Sequence, residues 1–134
     1  MLKKFIYLGY NCLGYYCSYL FNLIMKKINL SITGCMGRMG QQLIKSVKND
    51  NNFKLISLTE SKKISKKIAG LKPQANTIAA FKKANIIIDF TIPRCTLEVL
   101  KIASKLKKRV VIGTTGFSKN EEKLIKNYSK KIPI

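Results

Sequence analysis

Seven residues, Gly34-Cys35-Met36-Gly37-Arg38-Met39-Gly40, carry the most specific chemistry in this chain. They follow an apolar alternation (Ile28, Leu30, Ile32) and open a helical pattern. A glycine-rich turn between strand and helix gathers unpaired backbone N–H groups at the positive end of a helix dipole, which makes an anion site. Gly34 permits the tight turn, Gly37 lets backbone come close to a pyrophosphate, and Gly40 lets the helix close on the strand. The spacing is G-x-x-G-x-x-G, with Met36 where the common G-x-G-x-x-G has its second glycine. The competing reading is a plain turn without ligand, plugged by its own methionines.

Three further features fall at the ends of apolar runs. Glu60 closes the run Phe53–Thr59, where an acid can accept hydrogen bonds from the hydroxyls of an adenine ribose. Ser61, Lys62 and Lys63 follow it, and a lysine there could meet a 2′-phosphate. Asp89-Phe90-Thr91-x-Pro93 and Gly113-Thr114-Thr115-Gly116-Phe117 end two more runs. In an open α/β sheet the carboxyl ends of the strands form the edge that binds ligands.

Composition narrows the field. With no histidine, a Ser-His-Asp triad, a Cys-His pair and any imidazole zinc site are excluded. Cys12, Cys17, Cys35 and Cys95 show no C-x-x-C spacing, so neither a zinc site nor a disulfide framework is expected. Free thiols fit a reducing, cytoplasmic setting. The formal charge is +20, yet of the 26 basic residues only Arg38, Arg94 and Arg109 are arginine. Surfaces that read phosphate or base edges favour the planar arginine fork. A solvated lysine surface is therefore expected, and a basic nucleic-acid-binding module using the lysines of 61–67 is the rival reading.

At 134 residues there is room for one domain of usual size and none for a two-domain enzyme. The pattern predicts strands at Ile28–Thr33, Phe53–Thr59, Ile86–Asp89 and Arg109–Ile112. A helix with Met39, Leu43, Ile44 and Val47 on its buried face ends near Asn49. Residues 61–76 are expected as loop or irregular helix, and Ile78–Lys83 as a short helical stretch. Pro93 opens a helix with the stripe Val99, Leu100, Ala103 and Leu106. Ser118 and Glu121 form a capping box for a last helix with the stripe Leu124, Ile125 and Tyr128. Ile132–Ile134 looks like the start of another strand. Alternation of this kind predicts an α/β fold, a Rossmann-type doubly wound parallel sheet, incomplete at its C-terminus.

Residues 1–24 differ in kind. Lys3 and Lys4 precede an uncharged run from Phe5 to Ile24, about 20 residues, enough to cross a bilayer core as a helix. Met25-Lys26-Lys27 also reads as a natural start. The expectation is an apolar N-terminal extension, from a misassigned start or a membrane segment, before a dinucleotide-binding domain at 25–134.

Taken in order, Gly34-Cys-Met-Gly-Arg-Met-Gly40, Glu60, Ile-Asp89-Phe-Thr-x-Pro93 and Val-Ile-Gly113-Thr-Thr-Gly-Phe117 resemble the 4-hydroxy-tetrahydrodipicolinate reductase (dihydrodipicolinate reductase) family. The resemblance covers about residues 26–134. It implies NADPH or NADH as cofactor and hydride transfer that yields tetrahydrodipicolinate, in lysine and diaminopimelate biosynthesis. By the resemblance, Gly34, Cys35, Met36, Gly37, Arg38 and Met39 cradle the pyrophosphate and Glu60 holds the adenine ribose. Phe90 and Thr91 lie near the nicotinamide, and Gly113, Thr114 and Thr115 line the cofactor cleft. Ser61 stands where many members have an arginine that favours the 2′-phosphate. These 134 residues contain neither the His-His-x-x-Lys run nor the Ser-Gly-Thr segment of the family's substrate domain, so a nucleotide-binding part alone is expected. No catalytic residue is therefore assigned, and weak cofactor binding without turnover is expected unless that domain is supplied. The full-length family implies a homo-oligomer; a fragment of another Rossmann dehydrogenase is the remaining alternative.

Overall fold

The computed structural model describes residues 27–134, so the expected extension at 1–24 lies outside the described residues. Four strands, β1 (Ile28–Thr33), β2 (Phe53–Thr59), β3 (Ile86–Asp89) and β4 (Arg109–Ile112), alternate with four helices. These are α1 (Arg38–Lys48), α2 (Ile78–Phe81), α3 (Pro93–Leu106) and α4 (Lys119–Ser129). The sheet is parallel throughout, in the order β2-β1-β3-β4. The chain winds outward from β1 to β2, returns across it, and winds the other way through β3 and β4. Each direction of right-handed crossover puts its helices on a different face, which is the doubly wound arrangement expected.

Two apolar clusters result. Leu30, Ile32, Ile44, Val47 and Leu58 form one, with α1. Phe81, Ile87, Val99, Leu100 and Val110 form the other, with α2 and α3. Side-chain alternation along β3 splits its isoleucines between them: Ile87 joins the second, while Ile86 and Ile88 pack against the first. In β2 the alternation is interrupted. The register with β1 shifts between Leu30 and Ser31, which pair with Leu55 and Ser57. The extra residue, Ile56, is a bulge that lets Leu55 and Leu58 both serve the α1 cluster.

The helices start as their sequences dictate. Pro93 occupies the first turn of α3, where its missing N–H leaves no gap. Ser118 and Glu121 form the expected reciprocal capping box on α4. Two expected buried positions are not buried. Met39 is 49% exposed and Leu124 46% exposed, because α1 rests on Gly40, Ile44 and Val47 and α4 rests on Ile125 and Tyr128. Residues 61–76 form loop rather than helix. Ala69 and Gly70, both at positive φ, make a tight turn closed by two hydrogen bonds between Ile68 and Leu71. Beyond α4, Ile132 is buried and the Pro133 carbonyl accepts the Val110 N–H at 3.0 Å. This single bond holds the segment beside β4, but Ile132–Ile134 form no strand or bridge, so the expected further strand is not formed among the described residues.

Candidate functional site

The strand ends are level. Thr33 pairs with Thr59 on one side and Asp89 on the other, and Asp89 pairs with Ile112. The loops that leave these four positions therefore share one edge of the sheet. Between β1 and β3 the winding reverses, so the two loops part and leave a crevice, the usual ligand position in this architecture.

The glycine turn forms one wall. Gly34 sits at φ +68, and a Cβ there would lie 2.8 Å from Thr91 Cγ2. A Cβ on Gly40 would lie 2.2 Å from the Gly34 carbonyl oxygen. Glycine at 40 is thus what lets α1 close on β1, as the sequence predicts. Gly34 N–H and Cys35 N–H both donate to the Thr59 carbonyl, and Gly37 N–H donates to the Gly34 carbonyl. Gly37 is the N-cap of α1 and supplies no side-chain cap. The first-turn N–H groups of Arg38, Met39 and Gly40 accordingly have no intrahelical acceptor, and no acid lies in that turn to compete with an anion.

Glu60, just after β2, flanks the glycine turn on its outer side. Its Oε2 accepts the Met36 N–H at 3.1 Å and its Oε1 accepts the Ser61 N–H at 3.0 Å. A cleft of about 310 Å³ brings Gly34, Gly37 and Glu60 together with Phe90 and Thr91 of the loop after β3. It adjoins a hollow of about 390 Å³ reaching Arg94 and Glu98.

The other expected site residues fall elsewhere. Cys35 is fully buried in the α1 cluster, so only its backbone faces the turn. Burial, and secondly the Glu60 charge, push its thiol above the ordinary range, against a smaller lowering by a backbone hydrogen bond. Met36 borders a separate groove of about 340 Å³ between α1 and residues 64–69, with Lys45, Lys48 and Lys66 on its rim. Met36 and Met39 are 46% and 49% exposed, so neither side chain is sealed into the turn. Arg38 is exposed beside them. Gly113 lies against the Phe90 ring, with which a Cβ would clash at 1.9 Å. Thr114 is buried and accepts the Thr91 N–H at 2.9 Å, whereas Thr115 is exposed.

Sequence reasoning missed four cleft residues: Thr59, Asn76, Ile92 and Cys95. Nothing in their types announces them; they arrive through the fold. Among the described residues, Thr59 Oγ1 and Asn76 Oδ1 are buried without a hydrogen-bond partner, which is costly unless something polar satisfies them. Orphan polar atoms, a glycine cradle and open helix-start amides fit a nucleotide diphosphate ligand.

Residues 28–134 match the family described as dihydrodipicolinate reductase, N-terminus. The chain belongs to that family. It is 72% identical over 110 residues to the 4-hydroxy-tetrahydrodipicolinate reductase of Pelagibacter ubique (strain HTCC1062), covering 82% of this chain and 43% of the relative. It is 42% identical over 120 residues to the reductase of the same name from Buchnera aphidicola (strain 5A), covering 81% and 45%. The chain therefore spans less than half the length of these relatives. In fold it is similar to the dipicolinate-bound dihydrodipicolinate reductase of Paenisporosarcina sp. TG-14, with a TM-score of 0.64 and 23% identity over 78% of this chain and 43% of that one. This membership favours the reductase reading over the nucleic-acid module. Among the described residues, no helix is long and apolar enough to cross a membrane.

Proposed function

We propose that residues 25–134 are the nicotinamide-dinucleotide-binding part of an NADPH- or NADH-dependent 4-hydroxy-tetrahydrodipicolinate reductase, working in the cytoplasm in lysine and diaminopimelate biosynthesis. Residues 1–24 are an extension outside this domain. The observation that supports the reading most is the union of the glycine turn with Glu60, through the Met36 N–H, beside the crevice at the winding reversal. The helix-start amides of α1 hold the pyrophosphate, with Gly34, Met36 and Gly37 close to it and Arg38 and Met39 flanking it. Cys35 contributes backbone alone. Glu60 accepts the adenine-ribose hydroxyls, and Phe90, Thr91 and the Gly113–Thr115 loop border the nicotinamide.

The bound dinucleotide supplies the hydride. The side chains that orient a substrate and provide its proton belong to the part of the relatives that this chain does not match. Turnover is therefore expected only when that part is supplied, in a protein that assembles as a homo-oligomer. Titrating the chain with NADH and NADPH while following its amide resonances tests the proposal. Shifts clustered at Gly34–Gly40 and Glu60 are expected; unmoved resonances at millimolar ligand would overturn it.

A further inference from the structure

Asp89, the last residue of β3, is completely buried. Among the described residues its carboxylate pairs with no cation; it meets four hydroxyls from four segments. Oδ1 accepts from Thr33, at the end of β1, and from Thr91 at 2.8 Å in the loop after β3. Oδ2 accepts from Thr96 at 2.5 Å, in the first turns of α3, and from Thr114 at 3.3 Å in the loop after β4. The Asp89 carbonyl also takes the Gly113 N–H at 2.8 Å. A carboxylate offers only acceptors, which suits hydroxyls that all point inward.

The tie has a direct bearing on the cleft. Phe90 and Thr91 line it, immediately after Asp89. The Thr91 N–H is held by the Thr114 hydroxyl, which is itself held by Asp89. The Phe90 ring is seated on Gly113, where no side chain intervenes. One buried carboxylate thus fixes how far apart the loops after β3 and β4 stand.

We infer that Asp89 is a positioning residue for the nicotinamide end of the cleft, acting through Thr91 and Thr114 without touching the ligand. This rests on the dinucleotide reading above. The pyrophosphate wall is built separately, from the glycine turn and Glu60. Loss of the Asp89 tie therefore weakens NADH more than ADP-ribose, which lacks the nicotinamide.

The test measures dissociation constants of both ligands for the full chain, its Asp89→Asn variant and a Val99→Ala variant. Val99 is a buried core position on α3 whose side chain makes no hydrogen bond to the cluster, so its variant loses thermal stability and keeps both affinities. Asp89→Asn is expected to weaken NADH about ten-fold, the effect of roughly one lost buried hydrogen bond, with ADP-ribose little changed. Should Asp89→Asn not fold, Thr114→Val is expected to show the same split and Thr114→Ser to restore NADH binding. Equal loss of both ligands, unchanged NADH affinity in the folded variants, or equal affinity of the parent chain for both ligands would overturn the inference. A parent chain that binds neither ligand would overturn the dinucleotide reading itself.

Discussion

The Met36 N–H donates to Glu60 Oε2 at 3.1 Å. The bond ties the glycine turn after β1 to the end of β2. With the Ser61 N–H on its other oxygen, the carboxylate is aimed before a ligand arrives, so little ordering remains to be done on binding.

Glu60→Ala should therefore weaken NADH by about 10- to 100-fold, since a hydrogen bond to a charged group is worth about 1.5–3 kcal/mol. Calorimetric titration, with circular dichroism to show an unchanged fold, checks this. Wild-type affinity in the variant would remove Glu60 from the ribose role.

Gly40→Ala should destabilise the chain by about 1–3 kcal/mol or more, because its methyl meets backbone rather than a movable side chain. Thermal melting of the variant would show a lowered midpoint. An unchanged midpoint would mean that α1 can withdraw from β1 at no cost.

The strands and the glycine turn were legible because each is a local pattern: three adjacent isoleucines in β3, and glycines spaced along one turn. The place of Glu60 was legible because it directly follows the apolar run that forms β2. Met39 and Leu124 were misread as buried because helical spacing defines a stripe without saying how wide a partner covers it. Asp89 was visible as part of a motif, but its four hydroxyl partners lie as far apart as Thr33 and Thr114, and only the sheet register brings them together. Asn76 and Cys95 meet across the cleft at 3.1 Å for the same non-local reason.

The Cys35 thiol is held above its ordinary range, first by burial and then by Glu60. The folded chain therefore keeps this proton to higher pH than the unfolded chain. Stability from this source is complete below the ordinary thiol range and declines as pH rises above it. Denaturation midpoints measured at about pH 7 and about pH 9.5 should differ less for Cys35→Ala than for the parent. Native Cys35 should also resist iodoacetamide at neutral pH until denaturant is added.

Glu121 is displaced the other way, its carboxyl lowered by hydrogen bonds from the Ser118 backbone and then from its hydroxyl. Its support for α4 is present above the ordinary carboxylate range and is lost as pH falls through the lowered value. Ser118→Ala should cost about 1 kcal/mol of helix stability. Glu121→Gln, which can still complete the box, should flatten the acid dependence of α4 helicity in circular dichroism. An acid profile identical to that of the parent would assign the dependence to other carboxylates.

The last helix is attached more lightly than the others: α4 has no fully buried side chain and leans on α3 through half-covered Ile125 and Tyr128. Segments with so little apolar anchorage open at low free-energy cost. In heavy water its amides should trade hydrogen first, while those of β1 and β3 wait for global opening. The periphery can breathe while the ledge formed by the strand ends stays shut.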